Sequence, residues 1–244
     1  MQVVILAAGS GKRFTDAGYR KPKPLIQARG RAMVEYALEA ASFITDQPIV
    51  VCTWGIVGPL YGLAPAGVVP RLIPVRHLQS GAAMSLLAAA AALDEMQPVM
   101  TMDCDSIIPP SMLSQFAAWS VEAFAAGYSS TVMTFTPADD SARYSFVRLV
   151  QTPDSRFPAV VEIKEKLRIS DVATCGAHVF SSWAELRRAI AAMVYRDARV
   201  NGEYYMAPVH RYVERTTAAM HVTDFTCIGT PEELEAYEQA VPIT

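Results

Sequence analysis

Positive charge is scarce in this chain. Its 21 Lys and Arg against 24 Asp and Glu leave a net charge of −3, which excludes the broad basic surface of a nucleic-acid binder. Cysteine is scarce too. The four thiols (Cys52, Cys104, Cys175 and Cys227) contain no Cys-x-x-Cys pair and lie mostly in apolar segments. They read as reduced, buried side chains. The four histidines, His77, His178, His210 and His221, lack zinc-ligand spacing. No apolar run reaches bilayer length: the stretch from Ala82 to Leu93 is too short and contains Ser85. Met1-Gln2 carries no basic region of a secretory leader, and the apolar run behind it ends at Gly9. The expectation is a cytoplasmic protein with neither membrane nor nucleic acid among its partners. No repeat, low-complexity tract or linker divides the 244 residues, of which 52% are apolar and 18% charged. That suffices for a single packed domain over 1–244.

What is present begins at the N-terminus. Val3, Val4 and Ile5 open a buried strand, followed by Leu6-Ala7-Ala8-Gly9-Ser10-Gly11-Lys12-Arg13-Phe14. Gly9 and Gly11 allow the backbone to turn and bring its N–H groups close to a ligand. Lys12, Arg13, Lys21 and Lys23 add positive charge to the same end of the chain. The combination suits a polyphosphate. Two common phosphate loops are excluded. In a Walker A loop, Leu6 would have to be glycine and Arg13 would have to be Ser or Thr. In the dinucleotide fingerprint, Phe14 stands where the third glycine belongs.

Strands are expected near 2–7, 48–54, 71–76 and 98–102, with helices between them. Met33, Ala37, Ala41 and Ile44 form one apolar stripe, and the alanine-rich run 82–93 forms another, with Ser80 as its N-cap. A helix follows Pro109-Pro110 to about Ala126. The second half reads differently. Strands at 131–136, 146–150, 160–163 and 173–180 follow closely, then helices near 182–194 and 204–215, a strand near 219–224 and a last helix from 231. Thr230 would cap that helix, with Pro231 at its first position and Glu233 closing a capping box. The outcome is one mixed α/β unit with an antiparallel extension or lobe that covers one end of the sheet.

In open α/β sheets, ligands sit at the carboxyl ends of the strands, near the switch in strand order. There the loops would gather Gly9 to Arg13, Gln79 to Gly81 and Asp103 to Asp105. Gln79 and Ser80 have the donors and acceptors to read a base, and Gly81 lets the base approach; equally, they end a strand and cap a helix. Asp103 and Asp105, two apart on an extended segment, share a face and suit a hard cation. Lys23, between Pro22 and Pro24, is restricted by both. No Ser-His-Asp or Cys-His constellation is evident.

Leu6 to Phe14 with Lys21 to Leu25 resembles the signature of the sugar-phosphate nucleotidyltransferases, the pyrophosphorylase-like enzymes. Further matches follow in the family's order: Gln79 to Ala83, Asp103 to Asp105, Glu165-Lys166, Cys175 to Phe180, Asn201 to Tyr205 and Gly229 to Leu234. The segment after Glu203 most resembles the compact members associated with bacterial capsule and surface-polysaccharide loci. The resemblance implies a Rossmann-like, GT-A-type mixed sheet sandwiched by helices, with a small β-rich acceptor-binding lobe. The nucleotide-binding half would span about 1–127 and the acceptor-binding half about 128–244. Leu6, Ala7, Ala8, Gly9, Ser10, Gly11, Lys12, Gln79, Ser80, Gly81 and Asp103 would bind nucleotide. Arg13 and Lys23 would meet the α-phosphate and departing pyrophosphate. Tyr144, Glu165, Lys166, Gly176 and Asn201 would line the acceptor pocket, although Glu165 and Lys166 also fit a solvated charged run.

The implied cofactor is Mg²⁺, held by Asp105. The larger family members carry a second aspartate two residues before the glycine of the Gly-Thr-Pro-Glu segment; here that position is Cys227. A thiol is a poor ligand for a hard cation. Either Asp224 replaces it or water completes the shell. The implied reaction joins a nucleoside triphosphate, a pyrimidine one with CTP first, to a phosphorylated small molecule such as a sugar 1-phosphate. Pyrophosphate leaves. The alternatives are a glycosyltransferase using a nucleotide sugar, against which the triphosphate loop argues, and a non-catalytic nucleotide-binding regulator.

Overall fold

The apolar runs near the N-terminus form the parallel half of one sheet. The computed structural model describes residues 1–76, 80–151 and 156–240. In chain order its strands are β1 (Gln2–Ala7), β2 (Gln27–Ala28), β3 (Arg31–Ala32), β4 (Ile49–Thr53), β5 (Arg71–Val75), β6 (Val99–Asp103) and β7 (Ser106–Ile107). They continue as β8 (Ser130–Phe135), β9 (Ser145–Val150), β10 (Ala159–Glu165), β11 (Ala173–Phe180), β12 (Thr217–His221) and β13 (Thr226–Cys227). The helices are α1 (Lys12–Asp16), α2 (Met33–Ser42), α3 (Val57–Tyr61), α4 (Ala82–Leu86), α5 (Pro110–Ala125), α6 (Trp183–Tyr195) and α7 (Pro231–Gln239).

β1 shows why the fold is layered. Val3, Ile5 and Ala7 pack with α2 and α5 on one face, while Val4 and Leu6 pack with α4 and α6 on the other. A strand covered on both faces must be apolar at every position, and this one is nearly so. The main sheet runs β5-β4-β1-β6-β11-β8-β12-β10-β9. Its first four strands are parallel, and β11 enters antiparallel to β6. The fold is the α/β sandwich expected.

The β-rich half continues the same sheet. β12 runs parallel to β8, β10 antiparallel to β12, and β9 antiparallel to β10. β9 then returns to β11 through Phe146 opposite Ala173, so this end curls on itself. The curl is possible because β11 is bulged. Its register against β8 shifts between Thr174 and His178, which lets the strand leave β6 and reach β9.

Several local expectations are corrected. The run 82–93 is not one helix: α4 ends at Leu86 and a 3₁₀ segment, Leu87–Ala92, follows. Short alanine side chains let this backbone lie close to the sheet, where packing decides between the two windings. The N-cap of α4 is Gly81, not Ser80, which is exposed and offers its carbonyl to the Tyr204 N–H at 2.7 Å. The expected helix 204–215 is only a 3₁₀ turn, Ala207–Tyr212. Tyr204 is instead tied to the 80–83 segment, and Pro208 withholds a backbone donor. The strand expected at 219–224 is β12, earlier in the chain. At α7, Thr230 Oγ1 accepts from the Glu233 N–H at 3.2 Å as expected. The Glu233 carboxylate does not close the capping box, because partners outside the helix take it. Among the described residues no helix is long and apolar enough to cross a membrane.

Candidate active site

A cavity of about 690 Å³ opens at the carboxyl ends of β1 and β6, between that edge and the curled half of the sheet. β1 lies between β4 and β6, where the strand order reverses, so its loop has no crossover above it. From that loop and α1, Leu6, Ala8, Gly9, Ser10, Gly11, Lys12 and Arg13 line the cavity. Ala7 turns its side chain into the core beside α2. Gly81, at the N-cap of α4, lines the cavity too; Gln79 lies outside the described residues.

Lys23 arrives from a 3₁₀ turn, Lys23–Leu25, and forms an ion pair with Asp105. Burial alone would lower the Lys23 pKa. Asp105, with Cys104 and Cys227, reverses the sign and holds it above the ordinary lysine range. Asp103 has a different environment. Burial first, then the Asp105 charge, push its carboxyl up to about 7, against the pull of Lys23. Both carboxylates are walled by glycine. A Cβ on Gly176 would stand 2.5 Å from Asp103 Oδ2, and one on Gly229 would stand 2.6 Å from Asp105 Oδ2. Gly176 also has φ +77°, the left-handed conformation that opens the β11 bulge.

The curled half supplies the other wall. Ser145 at the start of β9 lies opposite Glu165 at the end of β10, and its hydroxyl donates to the Glu165 carboxylate. Burial raises the Glu165 pKa despite that bond. Lys166 sits just past the strand at φ +52°, its N–H bonded to the Tyr144 carbonyl at 2.9 Å. Its ammonium donates to the Tyr205 hydroxyl and lies 4.1 Å from that ring's centroid. Tyr144, Glu165, Lys166 and Gly176 all line the cavity.

Besides Ala7, three expected residues are not brought in: Asn201, Asp224 and Ser80. Asn201 is exposed at φ +50°, in a tight turn closed by pairing of Val200 with Glu203. An asparagine tolerates that backbone, so the turn accounts for it; Glu203 and Tyr205 line the cavity instead. Asp224 is exposed, while Phe225 and Cys227 line the cavity. Successive residues of an extended segment face opposite sides, which turns Asp224 away when Phe225 and Cys227 turn in. Ser80 is likewise exposed.

Sequence reasoning missed Arg143, Glu203, Tyr205 and Glu233. Glu233 accepts from Arg143 Nε at 2.8 Å, from the Tyr144 hydroxyl at 2.7 Å and from Cys227 Sγ at 3.3 Å. Burial, then Asp105 and Glu233, push the Cys227 thiol well above its ordinary range. With Cys227 a poor partner, the oxygen donors left at this edge for a hard divalent cation are Asp105, which is paired with Lys23, and Asp103 beside it. No group of three or more His, Cys, Asp and Glu among the described residues is arranged to hold a metal. One or two carboxylates with substrate phosphates and water suit Mg²⁺, so these residues fit it.

The profile of the family described as the MobA-like NTP transferase domain matches residues 3–218. The bifunctional protein GlmU of Paraburkholderia phytofirmans is 27% identical over 212 residues, covering 84% of this chain and 43% of that protein. The chain thus spans less than half the length of this curated relative. Among solved structures, the nucleoside-diphosphate-sugar pyrophosphorylase from Vibrio cholerae RC9 has a TM-score of 0.76 at 20% identity, over 98% of this chain and 100% of that one. The inositol-1-phosphate CTP transferase from T. maritima has a TM-score of 0.73 at 17% identity, over 97% and 93%. At these identities the structural likeness establishes the fold.

Proposed function

The chain belongs to the MobA-like NTP transferase domain family, and we propose that it joins a nucleoside triphosphate to a phosphorylated acceptor with release of pyrophosphate. The observation that carries this reading is the convergence on one cavity of the β1 loop, the Lys23–Asp105 pair and the Glu165–Lys166 end of β10. A phosphate oxygen of the acceptor attacks the α-phosphorus. The bond from that phosphorus to the bridging oxygen breaks, and pyrophosphate carries the electron pair away. The second pKa of a phosphate monoester is about 6, so the nucleophile is anionic at neutral pH and requires no general base.

Alignment of two polyanions and neutralisation of charge then dominate the barrier. The β1 loop holds the triphosphate, while Arg13 and Lys23 stabilise the α-phosphate and the leaving group. Mg²⁺ held by Asp105 with Asp103 would neutralise phosphate charge at this point. Glu165 and Lys166 orient the acceptor, a sugar 1-phosphate or a phosphorylated non-sugar. CTP is the first choice among pyrimidine nucleotides, on the resemblance of the segment after Glu203 to the compact members of the family. The product would be an activated diphosphate for capsule or surface-polysaccharide assembly.

The test is a panel of triphosphates against pooled phosphorylated metabolites with Mg²⁺, read as pyrophosphate. Release that requires both substrates is expected. Turnover of a nucleotide sugar without pyrophosphate would make the protein a glycosyltransferase. Binding of a triphosphate with no turnover across the pool would make it a regulator.

A further inference from the structure

Arg143 lies in the loop before β9, one residue ahead of Tyr144, and lines the cavity with its side chain 31% exposed. Its guanidinium is held from three directions. Nε donates to Glu233 at 2.8 Å, Nη2 donates to Asp139 at 2.8 Å, and the group lies 4.9 Å from the centroid of the Tyr144 ring. A guanidinium is a planar fork of N–H donors, so fixing these edges fixes the direction of those that remain. Glu233 is the better-buried anchor. Its side chain is 9% exposed, against 49% for Asp139, and it also accepts from the Tyr144 hydroxyl and Cys227. That engagement explains why its carboxylate leaves the capping box.

The position of Arg143 indicates what it meets. Lys166 is bonded through its backbone N–H to the carbonyl of Tyr144, the residue after Arg143. Two cations mounted on aromatic rings, Arg143 on Tyr144 and Lys166 on Tyr205, therefore stand at the same open end of the β9–β10 pair. Both come from the curled half of the sheet, whereas Arg13 and Lys23 come from the segments that follow β1. We propose that Arg143 binds the phosphate monoester of the acceptor together with Lys166, and that Glu233 is the positioning residue for its guanidinium. This deepens the nucleotidyltransferase reading and rests on it. Arginine suits the task because its fork matches two phosphate oxygens at once.

Methyl phosphate carries the group shared by the proposed acceptors and serves as the probe, titrated by ³¹P line broadening. A triphosphate with Mg²⁺ is titrated separately. Arg143→Ala should weaken methyl phosphate by at least about tenfold, the loss expected for a charge-assisted hydrogen bond, and leave triphosphate affinity within about twofold. Arg143→Lys, which keeps the charge without the fork, should lie between and guards against misfolding of the alanine variant. Glu233→Gln should raise the acceptor KM in the pyrophosphate assay with kcat unchanged, an outcome that a merely structural role would not give. Unchanged methyl phosphate binding in Arg143→Ala, or equal loss of both ligands, overturns the proposal. So does a wild-type protein that binds triphosphate but not methyl phosphate. A wild-type protein that binds no triphosphate overturns the nucleotidyltransferase reading instead.

Discussion

Asp103 ends β6 and Asp105 lies in the turn after it; both line the cavity, yet their surroundings give them unequal work. Asp105 holds Lys23, while Asp103 is pressed against Gly176 and has its carboxyl pushed up to about 7 by burial and by Asp105. Asp105→Asn should lower kcat for pyrophosphate release by about a hundredfold to a thousandfold, the range for removing a key transition-state electrostatic group. Asp103→Asn should cost less. Asp224→Asn should retain kcat within about twofold, because its exposed side chain lies off the cavity. A large loss in the Asp224 variant, partly rescued by Mg²⁺, would restore it as a ligand. The residues that were hard to read are those with two competing roles. Glu233 sits where a capping box predicts it, and its amide does bond to Thr230, yet its carboxylate is claimed by Arg143 and Tyr144. Nothing local to the 230–233 segment reveals partners some ninety residues away.

Among the elements, β11 decides the shape of the site. Its apolar residues were legible as a strand; its bulge was not. Ala177 to Phe180 pair with β6, Ala173 pairs with β9, and Gly176 turns the chain between them at φ +77°. Gly176→Ala would place a Cβ 2.5 Å from Asp103 Oδ2 in a backbone conformation that alanine resists. The variant should lose about 1–3 kcal/mol of stability, measured by urea denaturation. It should also lose turnover, because Asp103 must shift. A stable and fully active variant would mean the bulge relaxes without cost. The misread helices have the same physical origin. Apolar spacing alone does not separate an α-helix from a 3₁₀ turn, and at 204–215 both Pro208 and the backbone bonds of Tyr204 intervene.

At the scale of the whole molecule, a buried polar chain crosses the join between the two halves. His178 on β11 faces His210, Nδ1 to Nε2 at 3.0 Å, and His210 Nδ1 meets Ser130 Oγ at 2.8 Å. Burial lowers the His178 pKa to about 4 and that of His210 well below 6.5. An unfolded histidine titrates near 6.5, so below that pH the unfolded chain takes up protons that the folded pair refuses. Stability should be unaffected by this pair above about pH 6.5 and fall as pH drops toward about 4, by about 1.4 kcal/mol per pH unit for each imidazole. Urea midpoints between pH 7.5 and 5 measure the slope, and His178→Gln should reduce it. A midpoint independent of pH across this window would show that the pair accepts a proton while folded.

The sequence by itself determined the layered α/β class, the glycine-bearing loop after β1, the carboxylates at the end of β6 and the family, because each is written in a short contiguous stretch. Strand burial follows from which side chains are apolar, and a glycine loop from which residues tolerate its backbone. Tertiary structure decided how the second half curls, which residues of the 201–205 and 224–227 segments face the cavity, and that Glu233 and Arg143 meet. Those outcomes depend on which face of a strand or turn points inward. That is set by pairing between segments far apart in the chain, and a one-residue change of register reverses it.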